Sequence, residues 1–183
     1  MRFLRLLIPV LAVCFLAFGE KPPKVTVRFY AEANARDGSS FSTPFKATNP
    51  PRDIYLQKVP AIHERQIIGI FPFRAADDTW GCAFKLDNDG RINLEVVSTE
   101  RRGNALVGFI GTARGTHPAV EMIIDKTVRD GIIQIPRGLT DMEMAVLGKQ
   151  FKQIGGETPP KMTRERRGLL AKKEKPAPAV APQ

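Results

Sequence analysis

The chain has 183 residues, 43% of them hydrophobic, with 28 Lys and Arg against 19 Asp and Glu for a formal charge of +9. That length gives one domain with enough apolar content for a single core. The charge is uneven: the body from Glu20 to Ile154 carries only +3, the segment from Gly155 carries +4, and no aromatic-basic stacking pattern appears, so nucleic-acid binding is excluded as a reading.

Met1-Arg2-Phe3-Leu4-Arg5 precedes an uncharged apolar run from Leu6 to Gly19. Two arginines before such a run form a secretory signal, residues 1–19, with cleavage before Glu20 after Ala17-Phe18-Gly19. The run is shorter than the roughly 20 apolar residues of a spanning helix, so an uncleaved anchor is the weaker alternative. Lipidation at Cys14 is a third, although Val13 stands where a lipobox wants a small residue. The expected location is the periplasm or cell envelope. Removing the signal leaves Cys82 without a partner for an intramolecular disulfide. It reads as a buried small hydrophobe rather than a reactive thiol.

Residues 20–79 read as lead-in strands and a loop. Val25 to Ala31 alternates and predicts a strand. Asn34 to Arg52 is rich in Asp, Gly, Ser, Thr, Asn and Pro and predicts a long surface loop, pinned by Phe41 and Phe45. Asp53 to Val59 alternates again, and Ile67 to Phe73 is an apolar run. Pro60 and Pro72 confine these segments to edges or ends of a sheet.

Trp80 to Leu86 places Trp80, Cys82, Phe84 and Leu86 on one face of a strand. Asp87-Asn88-Asp89-Gly90 reads as a turn, and Ile92, Val96 and Thr99 with Leu94 and Val97 recur at helical spacing from Arg91. Arg101 and Arg102 suit the last turn, with Gly103 at C′. Leu106 to Ile110 predicts a central strand. Ala119 to Ile124 and Gly131 to Ile135 predict two more, split by Asp130-Gly131. Thr140 and Glu143 form a capping box that opens a second helix carrying Met142, Met144, Ala145, Leu147, Phe151 and Ile154. The expected fold class is α+β: a single mixed or antiparallel β-sheet with two helices packed on one face, a signal helix before it and a disordered tail after it. That tail, 155–183, is basic and rich in Pro, Ala and Lys, with a transient helix around Leu169 and Leu170.

No spacing assembles a catalytic constellation. His63 and His117 lie in different segments, and no Gly-x-Ser-x-Gly occurs. Asp77, Asp78, Asp87 and Asp89 have no spacing that singles out a pair. Aligned on Gly90, a calcium loop would need acids where Lys85 and Val96 stand. Gly108, Gly111 and Gly115 lack the partners of a phosphate loop. The expectation is therefore no enzyme, no catalytic or cofactor-binding residues, no metal and no cofactor. Two strands, Val25 to Ala31 and Asp53 to Val59, are candidate edges for strand addition by an extended chain, or are simply paired or covered.

The segment from Trp80 to Leu147 resembles the head subdomain of the first periplasmic domain of the SecD family, the accessory subunit of bacterial protein export. The family pattern of a strand ending Leu-Asp, a Gly, and a helix with Leu and Thr closing on Gly is met by Leu86-Asp87, Gly90, Leu94, Ser98-Thr99 and Gly103. Leu106 to Ile110, Pro118 and Val120 to Ile124 follow without a gap. Ile133-Gln134-Ile135, Gly138, Thr140 and Glu143-Met144-Ala145 complete the likeness, which defines residues 80–154 as the SecD-head-like core. Gly111-Thr112 replaces an Asp-Gly turn of the family, and His117 an Ala. The sequence carries no multi-span region to couple to a proton gradient. The resemblance thus implies a soluble or singly anchored relative of the head, whose family role is contact with exported polypeptide. The expected partner is protein, with anionic lipid or cell-wall polymer met through the tail and the oligomeric state left open. The alternatives are an envelope structural or adaptor protein targeted by its tail, and a hydrolase with an unrecognised site.

Overall fold

A computed structural model describes residues 25–34, 36–48 and 50–160; the expected signal, Cys14 and most of the tail lie outside them. The elements are β1 (Thr26–Ala31), β2 (Ser42–Thr48), β3 (Pro51–Gln57), a 3₁₀ turn (Glu64–Gln66), β4 (Ile67–Arg74), β5 (Trp80–Leu86), α1 (Asn88–Glu100), β6 (Ala105–Thr112), β7 (Gly115–Ile123), β8 (Ile132–Leu139) and α2 (Asp141–Gln150). From Trp80 onward the order is strand, helix, three strands, helix, as the periodicity predicts. No helix among the described residues is long and apolar enough to cross a membrane.

The α+β class holds, but the single sheet does not. The strands form three antiparallel sheets, ordered β1-β6-β7, β2-β3 and β4-β5-β8. The two three-stranded sheets share one core, where Phe29 of β1 and Phe84 of β5 meet edge-to-face at 6.4 Å. The helices add Leu94, Met144 and Leu147 to this core rather than covering one face of one sheet. The reason lies in non-local pairing. β1 pairs with β6, Thr26 standing opposite Gly111, and local periodicity carries no information about such a partner. Gly108 stands opposite Phe29, and a Cβ there would lie 2.6 Å from the Phe29 ring.

A second, smaller core fills the other face of the β1-β6-β7 sheet. Ala47, Ile54 and Leu56 of the β2-β3 hairpin pack there on Ala105 and Val107 of β6. This corrects the expected loop from Asn34 to Arg52, since β2 lies inside it and pairs residue for residue with β3. Its sequence, Ser-Thr-Pro-Phe-Lys-Ala-Thr, has too few apolar residues to show alternation, and only Ser42 and Ala47 are buried. Phe41, expected as an anchor, is 71% exposed. Phe45 does anchor, against Phe109.

Both helix starts follow from side-chain caps. Asp87 accepts from Gly90 N–H at 2.7 Å, so the expected turn is the first turn of α1. The buried stripe of α1 is Gly90, Leu94 and Ser98, while Ile92 and Val96 face outward. α1 ends at Glu100, so Arg101 and Arg102 lie just past it, and Gly103 takes φ +83° further on. The Thr140–Glu143 capping box of α2 is present as expected. Pro72 sits on β4, an edge strand, as its missing N–H requires. The first residues of the expected tail, 155–160, are described and lie against β4 and α2, with Glu157 N–H donating to Pro72 O at 2.8 Å.

Phe84→Ala should destabilise the protein by about 3–5 kcal/mol in denaturant unfolding, because it empties the meeting point of the two sheets. Phe41→Ala should change stability by less than about 0.5 kcal/mol.

Candidate functional site

The residues that could bear chemistry are dispersed. His63 precedes the 3₁₀ turn, its backbone N–H donating to Gln66 Oε1 at 3.2 Å. His117 lies on β7, with Nε2 3.4 Å from Glu143 Oε1. Asp77 closes a turn by accepting from the Thr79 hydroxyl at 2.6 Å, and that bond holds its carboxyl below the ordinary range. Asp78 is in the left-handed region at φ 59°, and Asp87 caps α1. Among the described residues no three His, Cys, Asp or Glu gather as metal ligands would. Cys82 is buried in the centre of β5, and burial pushes its thiol up to about 12 despite a bond with the Phe71 backbone. It is therefore an inert core thiol.

The two expected strand-addition edges are closed along much of their length. Phe29 N–H donates to Ile62 O at 2.9 Å, and Phe29 O accepts from Ala61 at 2.8 Å. Val25 exchanges two bonds with the Gln150 side chain, each 2.9 Å. β3 pairs with β2 on one side, and Ala33 N–H reaches Tyr55 O at 2.7 Å on the other. Arg52 and Ala105 N–H both engage Glu32, at 2.6 and 2.7 Å, which fastens this corner.

What the fold does create is a cleft of about 410 Å³ between the β2-β3 hairpin and the outer face of the β1-β6-β7 sheet. Its wall is an aromatic series. Tyr30 meets Phe109 edge-to-face at 5.6 Å, and Phe109 meets Phe45 at 5.7 Å. All three rings are half-buried, so each keeps a flank open. Arg28 and Lys58 line the cleft along with Thr26, Thr43 and Thr116. Arg28 is held by Glu64 through bonds of 3.2 and 3.3 Å. Those bonds, then Tyr30, raise the Arg28 guanidinium, so it stays charged. Burial pushes the Glu64 carboxyl up, but the Arg28 hydrogen bond, the backbone and nearby positive charge outweigh it and hold it below its ordinary 4.5. Oriented aromatic surface with a few hydroxyls and two cations suits binding of a partly apolar chain. A second, more open hollow gathers Phe41, Val59 and Val96.

Sequence reasoning did not assemble this cleft, whose residues come from five strands and the segment after β3. One signal was available: Tyr30 and Phe109 are aromatic where the alternation puts the face away from Val27, Phe29 and Ile110.

No family model matches the chain, and no curated protein matches it in sequence. Among solved structures it is similar to a chain of "Structure and function of a membrane component SecDF that enhances protein export", with 12% identity and a TM-score of 0.48 over 76% of this chain and 67% of that one. It is also similar to a chain of "Crystal structure of SecDF in Super-membrane-facing form", with 11% identity and a TM-score of 0.49 over 72% of this chain and 20% of that one. The chain thus spans about two-thirds of the first and a fifth of the second.

Because the folded carboxyl of Glu64 titrates below 4.5, its contribution is complete above that pH and is lost as pH falls through the depressed value. Glu64→Gln should therefore narrow the stability gap to the parent as the solution is acidified from pH 6 to about 3, as followed by urea unfolding. Native Cys82 should resist a thiol-reactive disulfide reagent at pH 8 and react stoichiometrically once unfolded in guanidinium.

Proposed function

We propose that the protein is an exported, non-catalytic SecD-head-like module that contacts polypeptide in the cell envelope through the cleft between the β2-β3 hairpin and the β1-β6-β7 sheet. The observation that carries this reading is the Tyr30–Phe109–Phe45 series, fixed edge-to-face with open flanks in a cleft lined by Arg28 and Lys58. Rigid aromatic side chains offer a large contact area at low entropic cost, and such residues dominate polypeptide interfaces. Arg28 is already paired with Glu64, and Lys58 favours segments that carry Asp or Glu beside apolar residues. Protein export is the setting that the sequence resemblance implies, and the leader of residues 1–19 delivers the body there. The basic tail adds contact with anionic lipid or cell-wall polymer.

Fluorescence anisotropy with a labelled, permanently unfolded polypeptide tests the reading. Binding should exceed that of an unrelated basic protein of similar size, and Tyr30→Ala/Phe45→Ala should weaken it about tenfold or more. Phe41→Ala, in the other hollow, should leave it unchanged. Equal affinity for the parent and the double variant would eliminate the cleft as the binding site.

A further inference from the structure

The outer edge of β4 is covered from within the chain. Residues 152–157 run parallel to it, with Gln153 bridged to Ile70. Ile70 N–H donates to Lys152 O and Ile70 O accepts from Ile154, both at 2.9 Å. Pro72 O accepts from Glu157 N–H at 2.8 Å, and Arg74 N–H donates to Glu157 Oε1 at 3.1 Å. Pro72 has no N–H to offer, so the strap matches the edge group by group.

The same strap buries little of its side chains, and Gln153 bonds back onto the strap's own Gly155 and Glu157 carbonyls at 3.1 and 2.9 Å. No residue from 152 to 157 is buried, and Ile154, lying over Gly69, is 50% exposed. Its anchors are at the ends, where Phe151 is buried and Pro159 packs on Gly148. Between them runs Gly155-Gly156. A Cβ on Gly155 would stand 2.5 Å from the Phe71 ring, and Gly156 holds φ +81° with its Cα facing Pro72 O. The strap therefore contributes hydrogen bonds and little buried apolar surface, the composition of a segment that opens locally before the rest of the fold.

We infer that the β4 edge is a second polypeptide-binding surface, held closed in cis by residues 152–157 and opened by their displacement. The occupant is an extended segment running parallel to β4. It takes over the bonds to Ile70 and Pro72, sets an aliphatic side chain over Gly69 in place of Ile154, and passes small residues across Phe71. This is strand addition with an internal competitor. It is separate from the aromatic cleft and does not require it.

The test compares one locked protein in two redox states. A Cβ at Gly69 would stand 2.8 Å from Ile154 Cγ2, so Gly69→Cys/Ile154→Cys places two thiols within disulfide reach. The probe is fluorescein-labelled, carboxymethylated α-lactalbumin, read by anisotropy. With Tyr30→Ala/Phe45→Ala added so that the cleft does not contribute, the oxidised form should bind about fivefold or more weakly than the same protein after reduction. Gly156→Val, which runs into Pro72 O, should bind about fivefold more tightly than the parent and exchange the Ile70 amide faster. Equal affinity of the oxidised and reduced forms overturns the inference whether or not Gly156→Val folds. The two cleft substitutions keep the surfaces distinct. A retained redox difference supports the edge as its own site, and loss of binding in both states removes it.

Discussion

The constraint on which the structure depends is that β6 is apolar on both faces. Leu106 and Ile110 belong to the main core, and Ala105 and Val107 to the smaller one. A strand of this kind cannot lie in a two-layer fold with one face open to water. One side is met by the β4-β5-β8 sheet and the helices, through the contact of Phe29 and Phe84. The other side needs its own cover, and the β2-β3 hairpin supplies it. A two-stranded ribbon is too narrow to cover a three-stranded sheet completely. The uncovered margin is the cleft, and the rings of Tyr30, Phe109 and Phe45 are what remain half-wet along it. The candidate site is thus a consequence of how the second face of β6 is buried.

Edges are handled with similar economy. Open strand edges invite unwanted pairing, and the edges here meet several devices. β1 is covered by Ala61-Ile62 and by the Gln150 side chain, and β4 by the strap of residues 152–157. β7 and β8 each carry a proline inside the strand, Pro118 and Pro136, which removes a donor. These devices differ in how firmly they are held. The cover on β1 includes Ile62, which is fully buried, whereas the strap on β4 contains no buried residue. Chemically similar edges are therefore unequal in how readily they open.

What could be read from the sequence follows the range of the interactions. The alternation from Trp80 to Leu86 reports burial on one face, and Trp80, Cys82, Phe84 and Leu86 are all buried. The capping box at Thr140 and Glu143 and the turn at Gly131, with φ +66°, are local chemistry and were equally legible. Ile92 and Val96 misled because helical spacing alone does not say which of two apolar stripes faces the core; Gly90 and Ser98, small enough for close approach, mark the true one. The three-sheet arrangement was not legible, since β1 finds β6 across more than half the body. The cleft shares that limit. Its residues span Thr26 to Thr116 and meet only through pairings that no window of sequence contains.

At the seam between the β1-β6-β7 and β4-β5-β8 halves, polar side chains connect α2, β7 and the hairpin. β7 and β8 are not hydrogen-bonded to each other, and side chains bridge the elements around them. Glu143 does this with one carboxylate. Its Oε2 accepts from the Thr140 N–H and hydroxyl at 2.9 and 2.8 Å, completing the α2 cap, while Oε1 faces His117 of β7 at 3.4 Å. Glu121 of β7 in turn accepts from Thr48 N–H at 2.7 Å and ties down the end of the β2-β3 hairpin. A histidine beside a buried carboxylate would ordinarily suggest proton transfer. Here one oxygen is committed to a helix terminus, and the imidazole stands 48% exposed on an edge strand. Glu143 thus brings α2 to β7, the strand to which the hairpin is also tied through Glu121.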